Sequence, residues 1–193
     1  MNTAHRRRPP SPLRVAAWIV TAALASCGGG SDDPEPASGA AGGGTGSGPT
    51  CGLADFQAEL VQRVNALRAT GAQCGTRGTF AATGPLQWHG VLVSAATKHS
   101  QDMASHNFFS HTGSDNSSPA QRVTDVGYGW NVVAENIAAG YRTVREVMDG
   151  WMASDGHCAN IMNPALRDIG VACVPGGASN TYSNYWTMNL AAP

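Results

Sequence analysis

Val132-Val133-Ala134-Glu135-Asn136-Ile137 sets a single carboxylate inside an otherwise largely apolar run. The run reads as a strand, or as a tight segment entering a site. A carboxylate in such a place calls for a bound partner or a strongly paired group, because burying an unpaired charge is costly. The chain on either side offers imidazoles. Upstream, Asn107-Phe108-Phe109-Ser110-His111 ends on one; downstream, Ser154-Asp155-Gly156-His157 ends on another. If the intervening helices fold back, His111, Glu135 and His157 converge on one cleft.

The flanking patterns predict those helices. Leu53, Phe56, Leu60, Val64 and Leu67 recur at spacings of three and four and predict a helix over 53–69, stopped near Gly71. Residues 73–85 read as loop. A second helix is expected over 90–105, with Leu92, Ala95, Ala96, His99 and Met103 on one side. Ser118-Pro119 opens a short helix to Asp125. Thr143 caps a further helix, with Glu146 completing a capping box and Val144, Val147, Met148 and Trp151 facing the core. Residues 158–162 add a helical turn. Two strands close the chain, 169–174 and 182–190, joined through Pro175-Gly176-Gly177. Helices mixed with a late antiparallel hairpin imply an α/β sandwich rather than a dinucleotide-binding βαβ repeat.

Outward from this domain, the 193 residues divide into three parts. Residues 1–26 carry four arginines and no acid, then a short apolar run and small residues, the pattern of a signal peptide. Leu24-Ala25-Ser26-Cys27 resembles the bacterial lipobox, which implies lipidation of Cys27 and, with Gly28 after it, an outer-membrane destination. Residues 28–50 hold nine Gly and three Pro with almost no large apolar group, so residues 27–50 are expected to form a lipidated, disordered tether. Such a coil reaches roughly 25–30 Å r.m.s.. Residues 51–193 form one domain of ordinary size. Processing shifts the formal charge from −1 to −5, with eight Lys and Arg left against thirteen Asp and Glu. That balance excludes a nucleic-acid binder relying on a broad basic surface. No run of 18 apolar residues offers an ordinary membrane span.

Beyond the export signal the domain holds Cys51, Cys74, Cys158 and Cys173, an even count that implies two disulfides in an oxidising compartment. Three pairings are possible. Cys51–Cys74 with Cys158–Cys173, each closing a local loop, is the expected one.

Taken in order, several segments resemble the CAP superfamily, the SCP-like extracellular domains, in its bacterial secreted branch. They are Leu60 to Arg68, Leu86-Gln87-Trp88, Met103 to His111, Pro119 with Arg122, Ala134-Glu135-Asn136-Ile137-Ala138, Trp151 to His157 with Asn160 to Asn163, Ile169-Gly170-Val171 and Tyr185-Trp186-Thr187. The resemblance covers Phe56 to Leu190. The resemblance implies an α-β-α sandwich with a central antiparallel sheet. It also implies a cleft joining two histidines and two acids: His111, Glu135 and His157 match three of the four, and Ser154 stands where the second acid would be.

Two imidazoles and a carboxylate can ligate a divalent ion such as zinc, so His111, Glu135 and His157 are also a possible metal site. Otherwise they form a hydrogen-bonded polar cleft. Ser105, Ser110 and Ser154 are nucleophile candidates by proximity in sequence, but no G-x-S-x-G elbow or H-E-x-x-H helix occurs. His99 and His106 are expected to be satisfied surface or boundary residues, and Trp88, Trp130, Trp151 and Trp186 to be core or cleft wall. The functional expectation is a monomeric, lipid-anchored module of the bacterial envelope that binds a lipid, small molecule, metal ion or envelope protein. The alternative is a metal-assisted hydrolase of peptide or envelope material.

Overall fold

The computed structural model describes residues 48–193. The expected signal peptide, lipidated Cys27 and most of the tether lie outside the described residues. Five helices and six strands appear among those described: α1 (Phe56–Thr70), β1 (Ala72–Gln73), β2 (Thr79–Phe80), β3 (Gln87–Trp88), α2 (Gly90–His106), α3 (Pro119–Asp125), β4 (Val132–Ala139), α4 (Val144–Ala153), α5 (Asp155–Met162), β5 (Asp168–Pro175) and β6 (Asn184–Ala192).

The central sheet runs in the order β3-β5-β6-β4. Its three long strands are antiparallel, and β3 adds a two-residue parallel edge beside β5. Residues of β6 are buried along its whole length, which requires cover on both faces. On one face Trp186, Met188 and Leu190 pack with Ile169 and Val171 against Phe56 and Leu60 of α1, Trp151 of α4 and Ile161 of α5. On the other, Ala191 packs with Leu92 and Ala95 of α2 and Val123 of α3, while Tyr185 meets Ile137 and Met103. The result is the α-β-α sandwich.

Local chemistry sets the helix ends. The Ser118 hydroxyl accepts from Gln121 N with Pro119 in the first turn of α3. The Thr143 hydroxyl accepts from Glu146 N, and the Glu146 carboxylate reaches back to Arg142 N rather than to Thr143 N, a shifted form of the expected box. Helix α2 crosses the sheet at Gly170, where a β-carbon would lie 2.3 Å from Val93 N and 2.4 Å from Leu92 C. Arg68, fully buried near the end of α1, donates to the carbonyls of Gly84, Ile161, Asn163 and Leu166 and so fastens the last turn of α5 to α1.

Several expectations need correction. The disulfides are Cys51–Cys173 and Cys74–Cys158, not Cys51–Cys74 and Cys158–Cys173. The N-terminal arm runs beside β5: Thr50 bridges Cys173, Cys173 N donates to Pro49 O, and Cys51 N donates to Cys173 O. That pairing puts Cys51 against Cys173, while Cys74 sits in the loop below α5. Residues 48–50, assigned to the tether by composition, are thus joined to the domain through β5. The 73–85 stretch is not all loop, since it contains most of the β1–β2 ribbon and a 3₁₀ turn at Gly75–Arg77. The final strand begins at Asn184, which leaves Tyr182 in the loop before it.

Candidate functional site

Strand alternation splits the Glu135-Asn136 pair between the two faces of β4. Glu135 faces the α2–α3 layer and is buried. One carboxylate oxygen accepts from His111 Nδ1 at 2.8 Å, and the other from Arg122 at 2.7 Å. The ring of His99, fully buried on α2, stands 3.9 Å from the same oxygen that receives His111. Asn136 points the other way: its amide donates to His157 O at 3.1 Å and its oxygen receives Asn160 Nδ2 at 2.9 Å. Asn160 Nδ2 also reaches Glu135 O. These bonds hold α5, and with it His157, against β4. β4 is the last strand of the sheet; the loop bearing His111 is bonded to its α2–α3 side through Glu135, and the helix bearing His157 to its other side through Asn136.

Arg122 organises the opposite side. Buried on α3, it donates to Ser117 O at 2.8 Å, to His111 O at 2.9 Å and to Glu135. One guanidinium thus neutralises the carboxylate and pins the loop at His111 itself and at Ser117, just before α3. The carboxylate holds the proton of His111 on Nδ1 and orients the ring, on a side chain that is 50% exposed. His99 Nε2 donates to Ser110 O at 2.8 Å, closing the base of that loop. Burial lowers the His99 pKa. His157 is lowered as well, first by burial and then by the charge His111 can carry. Both rings therefore favour the neutral form.

Next to His157 lies a cleft of about 320 Å³. It is lined by Ile137, Ala138 and Ala139 of β4, Gly150 and Trp151 of α4, Ser154, His157 and the exposed rings of Phe109, Tyr141 and Tyr182. A larger groove of about 690 Å³, between α1 and Trp88, contains none of these groups; Asp55 is its one titratable lining residue.

The three expected site residues therefore share one locale but do not form a three-ligand metal set. Both Glu135 oxygens are occupied by nitrogen donors, which leaves two imidazoles where zinc sites use three or four protein ligands. Among the described residues no group of three His, Cys, Asp or Glu is arranged to hold a metal ion. Asp155, beside the position of the missing second acid, turns away and accepts from Thr76 N at 2.8 Å, while Ser154 faces the cleft. Ser110 uses its hydroxyl to accept from Thr112 N. Among the described residues no serine hydroxyl hydrogen-bonds to His111 or His157.

Sequence reading missed two members. His99 is a buried neighbour of Glu135 rather than a surface or boundary residue, and Arg122 is the carboxylate's ion partner. The signal for a partner was Glu135 itself. The signal for His99 was its place on the apolar side of α2, at helical spacing from Ala95, Ala96 and Met103. His106, by contrast, is a surface residue paired with Asp102 at 2.9 Å. Trp130 is exposed rather than core or cleft wall.

The family model of CAP, the cysteine-rich secretory protein family, matches residues 61–190. The chain belongs to the CAP family. Relatives of this CAP domain include uncharacterized protein YkwD of Bacillus subtilis, 39% identical over 94 residues, which are 49% of this chain and 37% of that protein. Among solved structures, an extracellular SCP-domain protein of Bacillus anthracis matches with a TM-score of 0.54 at 24% identity, covering 76% of this chain and 45% of that one. An outer surface protein of Borrelia burgdorferi matches with a TM-score of 0.55 at 16% identity, covering 69% of this chain and 86% of that one. The chain thus matches less than half the length of YkwD and of the Bacillus anthracis protein. Among the described residues no helix is long and apolar enough to cross a membrane.

Proposed function

We propose that this CAP domain is a lipid-anchored binding module of the bacterial envelope, and that its ligand enters the cleft beside the outer edge of β4. The observation that carries this reading is the saturation of Glu135. With both oxygens engaged by His111 and Arg122, the carboxylate acts as a positioning group, and a ligand meets the ring of His157 in the cleft wall and, beyond the cleft lining, the half-exposed ring of His111. Both imidazoles can donate or accept a hydrogen bond according to protonation, a capacity suited to recognition. The test is imidazole NMR of the full chain during titration with envelope lipids and soluble wall fragments. Saturable shifts at His111 and His157, lost in His157→Ala, support the reading. Shifts confined to other residues refute it.

The anchored location rests on Leu24-Ala25-Ser26-Cys27 and the tether composition; one acyl chain holds a protein marginally and two or three hold it firmly. Labelling with a palmitate analogue should tag the wild type and not Cys27→Ala, which should appear in the aqueous fraction. The domain is expected to work as a monomer.

Hydrolysis is the second reading, favoured by one feature: Glu135 orients His111 as a carboxylate orients a general base. Water would then be the nucleophile, since no serine hydroxyl among the described residues bonds either ring. Ester or amide turnover that falls at least about 100-fold in His111→Ala would establish it, that being the ordinary weight of a general base. Equal rates in both proteins would dispose of it.

A further inference from the structure

Among the described residues four large apolar side chains are exposed: Phe109 at 45%, Trp130 at 38%, Tyr141 at 36% and Tyr182 at 38%. Three of the four, Phe109, Tyr141 and Tyr182, rim the single cleft beside His157. Exposed aromatics scattered singly need no explanation, but aromatics gathered around a concavity do.

These rings are held in place. Phe109 and Tyr182 lie with centroids 5.8 Å apart, and Tyr182 meets Tyr185 edge-on at 5.9 Å. The two loops that carry Phe109 and Tyr182 are tied by Asn107, whose side-chain oxygen accepts from Thr181 N at 2.8 Å and from the Tyr185 hydroxyl at 3.2 Å. Across the cleft, the Tyr141 ring rests on Gly150. A β-carbon there would lie 2.5 Å from the Tyr141 hydroxyl oxygen and 2.7 Å from its ring. Glycine inside a helix costs about 1 kcal/mol against alanine, and here it makes the seat for an exposed ring.

We propose that this cleft binds a neutral saccharide, with sugar rings against Phe109, Tyr141 and Tyr182 and hydroxyls bonded to Ser154 and His157. The inference rests on the binding reading above and names its ligand class. An aromatic face is electron-rich, and the C–H face of a pyranose presents its partial positive hydrogens to it. Ser154 and His157 can each donate and accept, as sugar hydroxyls do.

The same features disfavour other occupants. None of the cleft's lining residues is Asp, Glu, Lys or Arg, so a phosphate, sulfate or carboxylate would be desolvated without a counter-charge. An added peptide strand would need the outer edge of β4. There the carbonyls of Glu135 and Ile137 already receive Asn160 Nδ2 and Trp151 Nε1. A fatty chain would gain most from a deep aliphatic tunnel, whereas this cleft is small and includes polar groups.

The test titrates the full chain with three neutral trisaccharides, of N-acetylglucosamine, of β-linked glucose and of α-linked glucose, while following aromatic NMR signals. The expected result is a saturable shift at Phe109, Tyr141 and Tyr182 with at least one of the three. Affinity should fall about 10-fold in Phe109→Ala and in Tyr182→Ala, exposed rings whose loss spares the core, as truncation of an interface anchor does. Gly150→Ala should weaken binding by displacing Tyr141, with thermal unfolding confirming that each variant is folded. Silence with all three sugars overturns the proposal. If lauric acid, a neutral peptide or an anionic sugar shifts the rim while the neutral sugars do not, the neutral-saccharide proposal falls and the binding cleft stands. If none of these probes moves the rim or His157 and the envelope material of the earlier titration also leaves them unmoved, both readings fall.

Discussion

Glu135 is a buried carboxylate whose presence costs desolvation energy unless its partners repay it. Arg122 does so and also braces the His111 loop through two carbonyls. Replacing one partner leaves the other buried and uncompensated. Arg122→Met should therefore destabilise the domain by about 3–5 kcal/mol, and the double replacement Arg122→Met with Glu135→Met should recover the part due to the uncompensated carboxylate, leaving the loss of the loop bonds. Urea unfolding measures both, and a single variant that unfolds like the wild type would remove Arg122 from this role. His99 and His157 give the site a pH dependence of definite sign. Both are held below the ordinary imidazole value of 6.5, His99 and His157 each chiefly by burial. The unfolded chain therefore binds more protons than the folded one between the depressed values and 6.5. Their contribution is complete above pH 6.5 and is lost as pH falls through the folded-state values. The melting temperature should hold a plateau above this point and decline below it, with a shallower decline in His157→Gln. An unchanged slope in that variant would show that His157 carries none of the effect.

At the scale of the element, Gly170 shows how closely α2 is laid on the sheet. A methyl group there would collide with helix backbone, not with a side chain free to swing away. Gly170→Ala should cost about 1–3 kcal/mol, the range for overpacking a tight interior, where an exposed glycine-to-alanine change costs little. A cost near zero in chemical denaturation would mean that α2 can rise off β5 without penalty. The elements themselves were largely legible. Period and caps placed α2 and α3 almost residue for residue and fixed the start of α4, because apolar spacing and the Ser118 and Thr143 hydroxyls are local signals. The β1–β2 ribbon was not legible: two-residue strands leave no period to read, and Ala72-Gln73 has neither branched nor aromatic residues. The site divides the same way. His111, Glu135 and His157 announced themselves by sequence context. Arg122 and His99 did not, since their roles come from the layer that α2 and α3 form over β4, which is a tertiary fact. Asp155 could have turned toward the cleft or away from it, and only the loop carrying Thr76 settles the direction.

At the scale of the whole molecule, the disulfides decide how the ends of the domain are held. Sequence proximity favours pairing neighbours, since short loops close at least entropic cost. The fold overrides this by bringing the first described residues to β5 at the chain's far end. The bridges then span 122 and 84 residues, the second nested inside the first. Long loops remove more freedom from the unfolded chain, so each bridge is worth about 4–5 kcal/mol in the chain-entropy picture. Cys51–Cys173 has a further consequence. On the proposed reading of residues 27–50 as a lipidated tether, a pull entering at residues 48–50 would load β5 directly through a covalent bond and bypass α1 and the His111–Glu135 site. Arg63, Arg68, Arg145 and Arg167 separate the four cysteines into different tryptic peptides, so the pairing is open to a direct test. A non-reducing digest should link the Cys51 peptide to that of Cys173, and the Cys74 peptide to that of Cys158. Cys51→Ser with Cys173→Ser should lower stability by about the amount above while leaving the His111 and His157 NMR signals in place. Recovery of a Cys51–Cys74 peptide instead would mean that no covalent bond ties the arm to β5.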